Sequence, residues 1–344
     1  MKKNNYILNF LLIVVITAGA LWFALKDNYQ EVIAAIQKMP LSFLLIILVW
    51  GIAYTCVAGM LYYVLGKKYV KNYSLLKGIV VSFTGTFFSG ITPSSTGGQF
   101  GQAYIMKQQG IEYRDGASLL WADFIIYQTT MMLYVTALFL MKFSYYQAQS
   151  GWFNLVLAGY VVNAVIIVSL YMMALCPKVC ICLSRWAVKI LTKLHLLKNP
   201  AKTLESWTFQ VTSFTKEIKK LSRDKKIIVK CILINVLRLT LFYSLPFVIA
   251  LCLGIHLKIN QALDVIALSS FVTMANCFIP IPGSSGGTEM MFTILFTPLT
   301  GLLTGAVMIL WRLSTYHIIL MLGGIVFMIA KAKYNKKKGD NICE

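Results

Sequence analysis

The sequence predicts an all-α polytopic membrane protein of about eight membrane segments, two of them re-entrant broken hairpins in an inverted-repeat arrangement. Three observations carry this prediction. Only 13% of the 344 residues are charged and the mean hydropathy is +0.72. A soluble domain is usually about a quarter charged, so a water-soluble globule of this size is excluded for want of polar surface. The 32 Lys and Arg against 12 Asp and Glu, a net charge of +20, cluster between long uncharged runs. That pattern marks a basic cytosolic side, not a nucleic-acid binder, whose basic residues would not be interrupted by long apolar runs. Third, two of the apolar runs are broken in mid-course by matching Pro-, Ser- and Gly-rich stretches.

A bilayer-spanning helix needs about 20 apolar residues. Ile7–Leu25 is the first such run; it follows the basic Met1-Lys2-Lys3 and has no small-residue cleavage site, so a retained helix is expected. Leu41–Leu65 is the second. Leu76–Met106 is broken by Thr92-Pro93-Ser94-Ser95-Thr96-Gly97-Gly98-Gln99. Ala117–Met141 and Phe153–Leu175 are uninterrupted. Ile227–Leu253 follows a polar stretch, and Ala262–Phe296 is broken by Pro280-Ile281-Pro282-Gly283-Ser284-Ser285-Gly286-Gly287. Leu299–Ala330 closes the series with Arg312 inside it.

Lys67, Lys68, Lys71, Lys77, Lys107, Arg114 and the Lys331–Lys338 cluster are basic short loops or ends, whereas 26–40, 142–151 and 254–261 carry few basic residues. Both termini are therefore expected in the cytosol, with the chain in the cytoplasmic membrane. Parity then requires each broken run to return to its own side, the first entering from the cytosol and the second from outside. Three full crossings over 262–282, 286–311 and 313–331 also satisfy parity. The expected division is 1–176 (first membrane half, hairpin 76–106), 177–226 (cytosolic basic amphipathic insertion), 227–330 (second membrane half, hairpin 262–296) and 331–344 (basic tail).

Within 177–230, 13 Lys and Arg face Glu205, Glu217 and Asp224. Leu183, Trp186, Ala187, Ile190, Leu191, Leu194 and Leu197 fall at helical spacing among basic residues, suited to an anionic leaflet. Asn199-Pro200 is expected to stop that helix, and Leu204, Trp207, Val211, Phe214, Ile218 and Leu221 to mark a second.

The two breaks share a P-x-S-x-G-G pattern, the second starting 189 residues after the first (282 − 93). Paired interruptions in the two halves of a chain point to a transporter's substrate site. Irregular backbone at membrane depth is tolerated only inside protein or against a wet cavity, and each following half-helix offers free N–H groups to an anion. Simple kinks in packed helices are the alternative. Candidate site residues are therefore Pro93, Ser94, Ser95, Thr96, Gly97, Gly98 and Gln99, with Pro282, Ser284, Ser285, Gly286 and Gly287 opposite them.

Charges inside spans are rare enough to single out. Asp123 lies roughly 10 Å into its helix, with Tyr127 one turn on, and Arg238 roughly 16 Å into its own. Glu289 follows the second Gly-Gly, and Arg312 has Tyr316 one turn on. Either they form two structural ion pairs, or the arginines meet a lipid phosphate while the acids meet an amine, a sugar or a proton. Cys176, Cys180 and Cys182 lack a His or fourth Cys at ligand spacing, and the eight Cys do not form an extracellular disulfide framework. No metal or other cofactor is expected, and without a P-loop neither is ATP-driven pumping.

The run from Thr92 to Lys107, including Gln102 and Tyr104 and followed by Gly110-Ile111, resembles the signature of the lysylphosphatidylglycerol synthase transmembrane family. These are flippase-like proteins related to the membrane half of the multiple peptide resistance factor. Asp123-Phe124-Ile125-Ile126-Tyr127-Gln128, Pro282–Glu289 and Trp311–Tyr316 are similar to its later blocks. The resemblance implies movement of an anionic or aminoacylated lipid, such as phosphatidylglycerol or its lysyl form, or of a lipid-linked sugar, between leaflets. It further implies that Gln102, Tyr104, Asp123, Tyr127, Glu289, Arg312 and Tyr316 take part with the two breaks; Arg238 joins them as a charge inside a span. The chain ends 14 residues past the last span, so the aminoacyl-transferase domain of full-length resistance factors is not expected. A phosphatidylglycerol lysyltransferase or its membrane subunit is the alternative, and a non-transporting scaffold for a glycosyltransferase a third. A separate synthase or glycosyltransferase and a second copy of the chain are the protein partners this leaves open.

Overall fold

The computed structural model describes residues 29–92, 95–141, 143, 146, 150–193, 199–275, 284 and 286–340. The expected first span, Ile7–Leu25, lies outside them, as do Pro93, Ser94, Pro282 and Ser285 of the two breaks. All regular structure among the described residues is helical. The helices are α1 (Tyr29–Lys38), α2 (Leu41–Gly66), α3 (Leu75–Ile91), α4 (Gly97–Gln108), α5 (Tyr113–Met141), α6 (Ser150–Leu175), α7 (Pro177–Lys193), α8 (Pro200–Ser222), α9 (Lys225–Cys252), α10 (Ala262–Ala275), α11 (Gly287–Thr300), α12 (Thr304–Arg312) and α13 (Ile318–Asp340). Among the described residues five helical stretches are long and apolar enough to cross a membrane: Leu41–Gly66, Tyr113–Met141, Val156–Leu175, Lys225–Cys252 and Gly287–Tyr334. The chain is a multi-pass membrane protein.

Both broken runs divide into two helices. In the first, α3 and α4 lie antiparallel. A Cβ on Gly85 would meet the Gln102 side chain, one on Gly101 the Phe88 ring, and one on Gly98 the Ser89 hydroxyl, so neighbours approach as the two sequences run oppositely. In the second, α10 and α11 have 14 residues each, and α4 has 12. At 1.5 Å per residue these are roughly 18–21 Å long, short of the ~30 Å hydrocarbon core.

Glycine lets α2 and α3 approach closely. A Cβ on Gly78 of α3 would fall 2.3 Å from the Gly59 carbonyl of α2, so the two backbones touch. The Ser82 hydroxyl of α3 donates to the Thr55 carbonyl at 2.9 Å along the same seam.

The last apolar run begins within a few residues of the expected Leu299 and departs from the three-crossing pattern. The boundary lies at Gly301–Leu303, where Gly301 has φ +53, and not at Arg312. Beyond it α11 and α12 pack antiparallel: Phe292 stacks on Trp311 at 5.1 Å, and Thr300 and Thr304 share a 2.7 Å hydroxyl contact. From Thr304 the helix continues to Asp340 through one π turn, Leu313–His317. The 26–40 loop likewise contains α1, whose Ile36, with the following Met39, packs on the core. Asn199-Pro200 starts α8 as well as separating it from α7. Pro200 takes the first helical position, where its missing N–H costs nothing, and Thr203 N–H donates to the Asn199 carbonyl at 3.1 Å.

The apolar core forms two large clusters at opposite ends of shared helices. Leu61, Leu65, Leu119, Leu120 and Cys231 gather around the first broken element, with Val81, Ile105, Met106 and Ala330. Ile47, Val135, Leu138, Leu245 and Ile249 gather around the second, with Phe271, Phe292, Phe296 and Trp311. The first cluster therefore sits at the end of α2, α5, α9 and α13 where the basic residues collect. There Lys68 and Asp224 join α2 to α9 at 3.4 Å.

Candidate functional site

Between the two apolar clusters lies a polar layer built by four elements. Tyr62 of α2 donates its hydroxyl to Asp123 Oδ2 of α5 at 2.8 Å, and Gln102 Nε2 of α4 donates to the Tyr62 hydroxyl at 2.7 Å. The first broken element thus reaches the intramembrane acid through one tyrosine. Arg238 of α9 sits between two rings, its Cζ 4.7 Å from the centroid of Tyr127 and 5.3 Å from that of Tyr54. One guanidinium N–H donates to the Tyr54 hydroxyl at 3.3 Å. The sequence supplies part of this by spacing: Asp123 and Tyr127 are one helical turn apart on α5.

Asp123 and Arg238 make no ion pair with each other. Each keeps a buried polar atom, Oδ1 of Asp123 and Nε of Arg238, without a hydrogen-bond partner among the described residues. Asn235, one turn before Arg238 and fully buried, leaves both its side-chain Oδ1 and Nδ2 in the same condition. Buried polar groups are satisfied in well over nine cases in ten, and each exception asks for an explanation. Four such atoms on three residues of one layer form an acceptor–donor set of both signs.

The second pair of charges behaves differently. Arg312 Nε and Glu289 Oε1 are 2.8 Å apart, with side chains 8% and 2% exposed. Gly286, at φ +88, donates its N–H to Glu289 Oε2 at 2.6 Å. The α11 N-terminus is thus capped by its own carboxylate, which occupies the place an anionic ligand would take. The guanidinium also covers the Tyr316 ring at 4.7 Å, and the Tyr316 hydroxyl donates to the Gly90 carbonyl of α3 at 3.1 Å. Arg312 and Tyr316, one turn apart around the π turn, therefore touch the ends of both broken elements.

At the first break, the α4 N-terminus is also closed locally. Gly97 N–H donates to Thr92 Oγ1 at 2.8 Å, and that hydroxyl donates to the Phe88 carbonyl at 2.7 Å. Ser95, at φ +55, and Thr96 are exposed, as is Gln99; Gly98 is buried against Ser89. Ser284 also has positive φ, +49, and its carbonyl accepts from the Thr288 hydroxyl at 2.9 Å. Tyr104 faces α13, its ring 6.2 Å from Phe327, away from the polar layer. The structure thus brings Gln102, Asp123, Tyr127 and Arg238 together, and Gly286, Glu289, Arg312 and Tyr316 separately. Tyr54, Tyr62 and Asn235 escaped the sequence reading. Tyr54 and Tyr62, eight residues apart, share a face of α2, and Asn235 stands three before Arg238; these spacings were the available signal.

A family model described as the lysylphosphatidylglycerol synthase TM region matches residues 10–323 of the chain. No curated protein matches it.

Proposed function

The chain belongs to the lysylphosphatidylglycerol synthase transmembrane family, whose function is tied to membrane lipid, and on that premise we propose that it is a phospholipid flippase of the cytoplasmic membrane. The observation that carries this reading is the polar layer in which Asp123 and Arg238 stand apart, each with an unpartnered buried atom. A charge at membrane depth needs a partner or a wet cavity. A headgroup bearing both a phosphate and an amine supplies both partners: the phosphate to Arg238, the ammonium to Asp123, with Asn235 offering a donor and an acceptor beside them. Acyl chains would remain in lipid while the headgroup crosses this layer.

The placement of the broken elements at opposite ends of α2, α5 and α9 supports their insertion from opposite sides of the membrane, with both termini cytosolic. Glu289 and Arg312 would lock the inner end of the second element to α12 rather than touch lipid. A membrane subunit for an aminoacyl-transferase is the second reading, favoured by the synthase named in the family description. The test is reconstitution of the purified chain with fluorescent lipids of different headgroups. Leaflet exchange should require the protein and fall at least tenfold in Arg238→Gln and Asp123→Asn, with insertion unchanged. Full exchange in both variants, or none by the parent, would overturn the proposal.

A further inference from the structure

A second lipid-shaped feature lies outside the polar layer, where α8 crosses the first turns of α5. A cleft of about 410 Å³ opens there between Arg114, Ser118 and Trp121 of α5, Met173 of α6, and Trp207 and Lys216 of α8. Its walls are mainly apolar, and its two charged residues are both cationic; no Asp or Glu lines it. Among the described residues neither Arg114 nor Lys216 makes an ion pair. Trp121 and Trp207 remain 37% and 42% exposed, an unusual state for indoles unless they meet the interfacial zone of a bilayer.

The cleft is held in place by α8 rather than being a chance gap. The Thr215 hydroxyl donates to the Met173 carbonyl at 2.9 Å, Val211 is fully buried, and Ile218 packs on Ile125 and Ala174. Farther along the same stripe of α5 lies a second cavity of about 430 Å³, whose surface is mostly apolar and is supplied by residues such as Leu133, Ile228 and Ile232 beside Thr129, Thr130 and Ser222. Along α5, Arg114, then Trp121, then the apolar slot follow the order of phosphate, glycerol and acyl chain, and Lys216 of α8 adds a second cation to the cleft wall.

We propose that this cleft binds an anionic phospholipid, its phosphate between Arg114 and Lys216, its glycerol against Trp121 and Trp207, and an acyl chain directed along α5. The site is separate from the central layer and does not depend on lipid being moved. It would fasten the basic insertion to the membrane domain through a resident lipid.

The experiment uses the full chain, delipidated in mild detergent, and follows its thermal unfolding as lipid is added. Phosphatidylglycerol should raise the unfolding temperature saturably, whereas phosphatidylcholine and glycerol 3-phosphate should not. Each cation near an anionic headgroup contributes about 1 kcal/mol, or roughly fivefold in affinity. Arg114→Gln with Lys216→Gln should therefore weaken half-saturation roughly 25-fold. Lys189→Gln with Lys193→Gln, an equal charge change on α7, should leave it unchanged. The proposal is overturned by equal stabilisation with phosphatidylcholine, by equal weakening in the α7 variant (surface charge alone), or by unchanged affinity in the Arg114/Lys216 variant. The substituted side chains are exposed and unpaired, so folding is not at stake; Arg114→Lys with Lys216→Arg should retain binding.

Discussion

Replacing Arg312 by glutamine would strand the Glu289 carboxylate, 2% exposed, with only the Gly286 N–H for company. Removing one partner of a buried pair costs about 3–5 kcal/mol, most of it the penalty of the charge left behind. Glu289→Gln should cost less, toward the lower end of that range. The amide oxygen can still accept from Gly286, and Arg312 keeps the Tyr316 face, a contact worth up to ~2 kcal/mol when desolvated. The double variant leaves no charge, so it should lie within about 2 kcal/mol of the parent, giving a coupling energy of at least ~4 kcal/mol from the two single losses. Reversible unfolding in mixed micelles measures all four species. Additive losses in the double variant would refute the claim that the two residues act as a structural unit. A double variant that is stable yet inactive in leaflet exchange would show that the pair also serves transport.

Three further outcomes follow from the same geometry. Gly78→Ala should destabilise the chain by about 1–3 kcal/mol, because the added methyl meets the Gly59 carbonyl at 2.3 Å; unchanged thermal unfolding would mean that α2 and α3 can separate at no cost. Tyr316→Phe removes the bond to Gly90 and should cost about 1 kcal/mol in the same assay while sparing the Arg312 ring contact. Single cysteines at 108–115 should label with an impermeant thiol reagent only from the cytosol and those at 256–261 only from outside; the reverse pattern would reject the proposed orientation.

The apolar runs foretold α2, α5, α6 and α9 to within a few residues because a bilayer demands length and apolarity together, and few other constraints imitate that signal. Boundaries set by single-residue geometry were less legible. The turn at Gly301 depends on positive φ at one glycine, and a glycine within an apolar run reads equally as part of a helix. The charges at membrane depth were legible as a set of four, but their pairing was not, since it depends on which faces of distant helices meet. Arg312 and Glu289 are 23 residues apart yet meet because α11 and α12 fold back at that same turn, whereas Asp123 of α5 and Arg238 of α9 make no ion pair and are each held by tyrosines instead.

That difference bears on what each pair can do. An ion pair closed in a 2.8 Å contact, with its second carboxylate oxygen bonded to backbone, has little affinity left for a headgroup until it opens. Arg238 is stabilised instead by ring faces, which attract a cation without neutralising it, so its charge remains available to an anion. Asp123 is similarly held by one hydroxyl, through Tyr62, with Oδ1 left over. A transport site must bind weakly enough to release, and polar but uncharged supports around separated charges meet that requirement better than a closed pair. On the proposed function the division of labour follows: Glu289 and Arg312 would fix the second broken element, and the layer of Asp123, Asn235 and Arg238 would meet the lipid. The Gln102–Tyr62–Asp123 chain gives the first broken element a direct hold on that layer, so movement of α4 would alter the hydrogen bonding of the intramembrane acid without any change in its position.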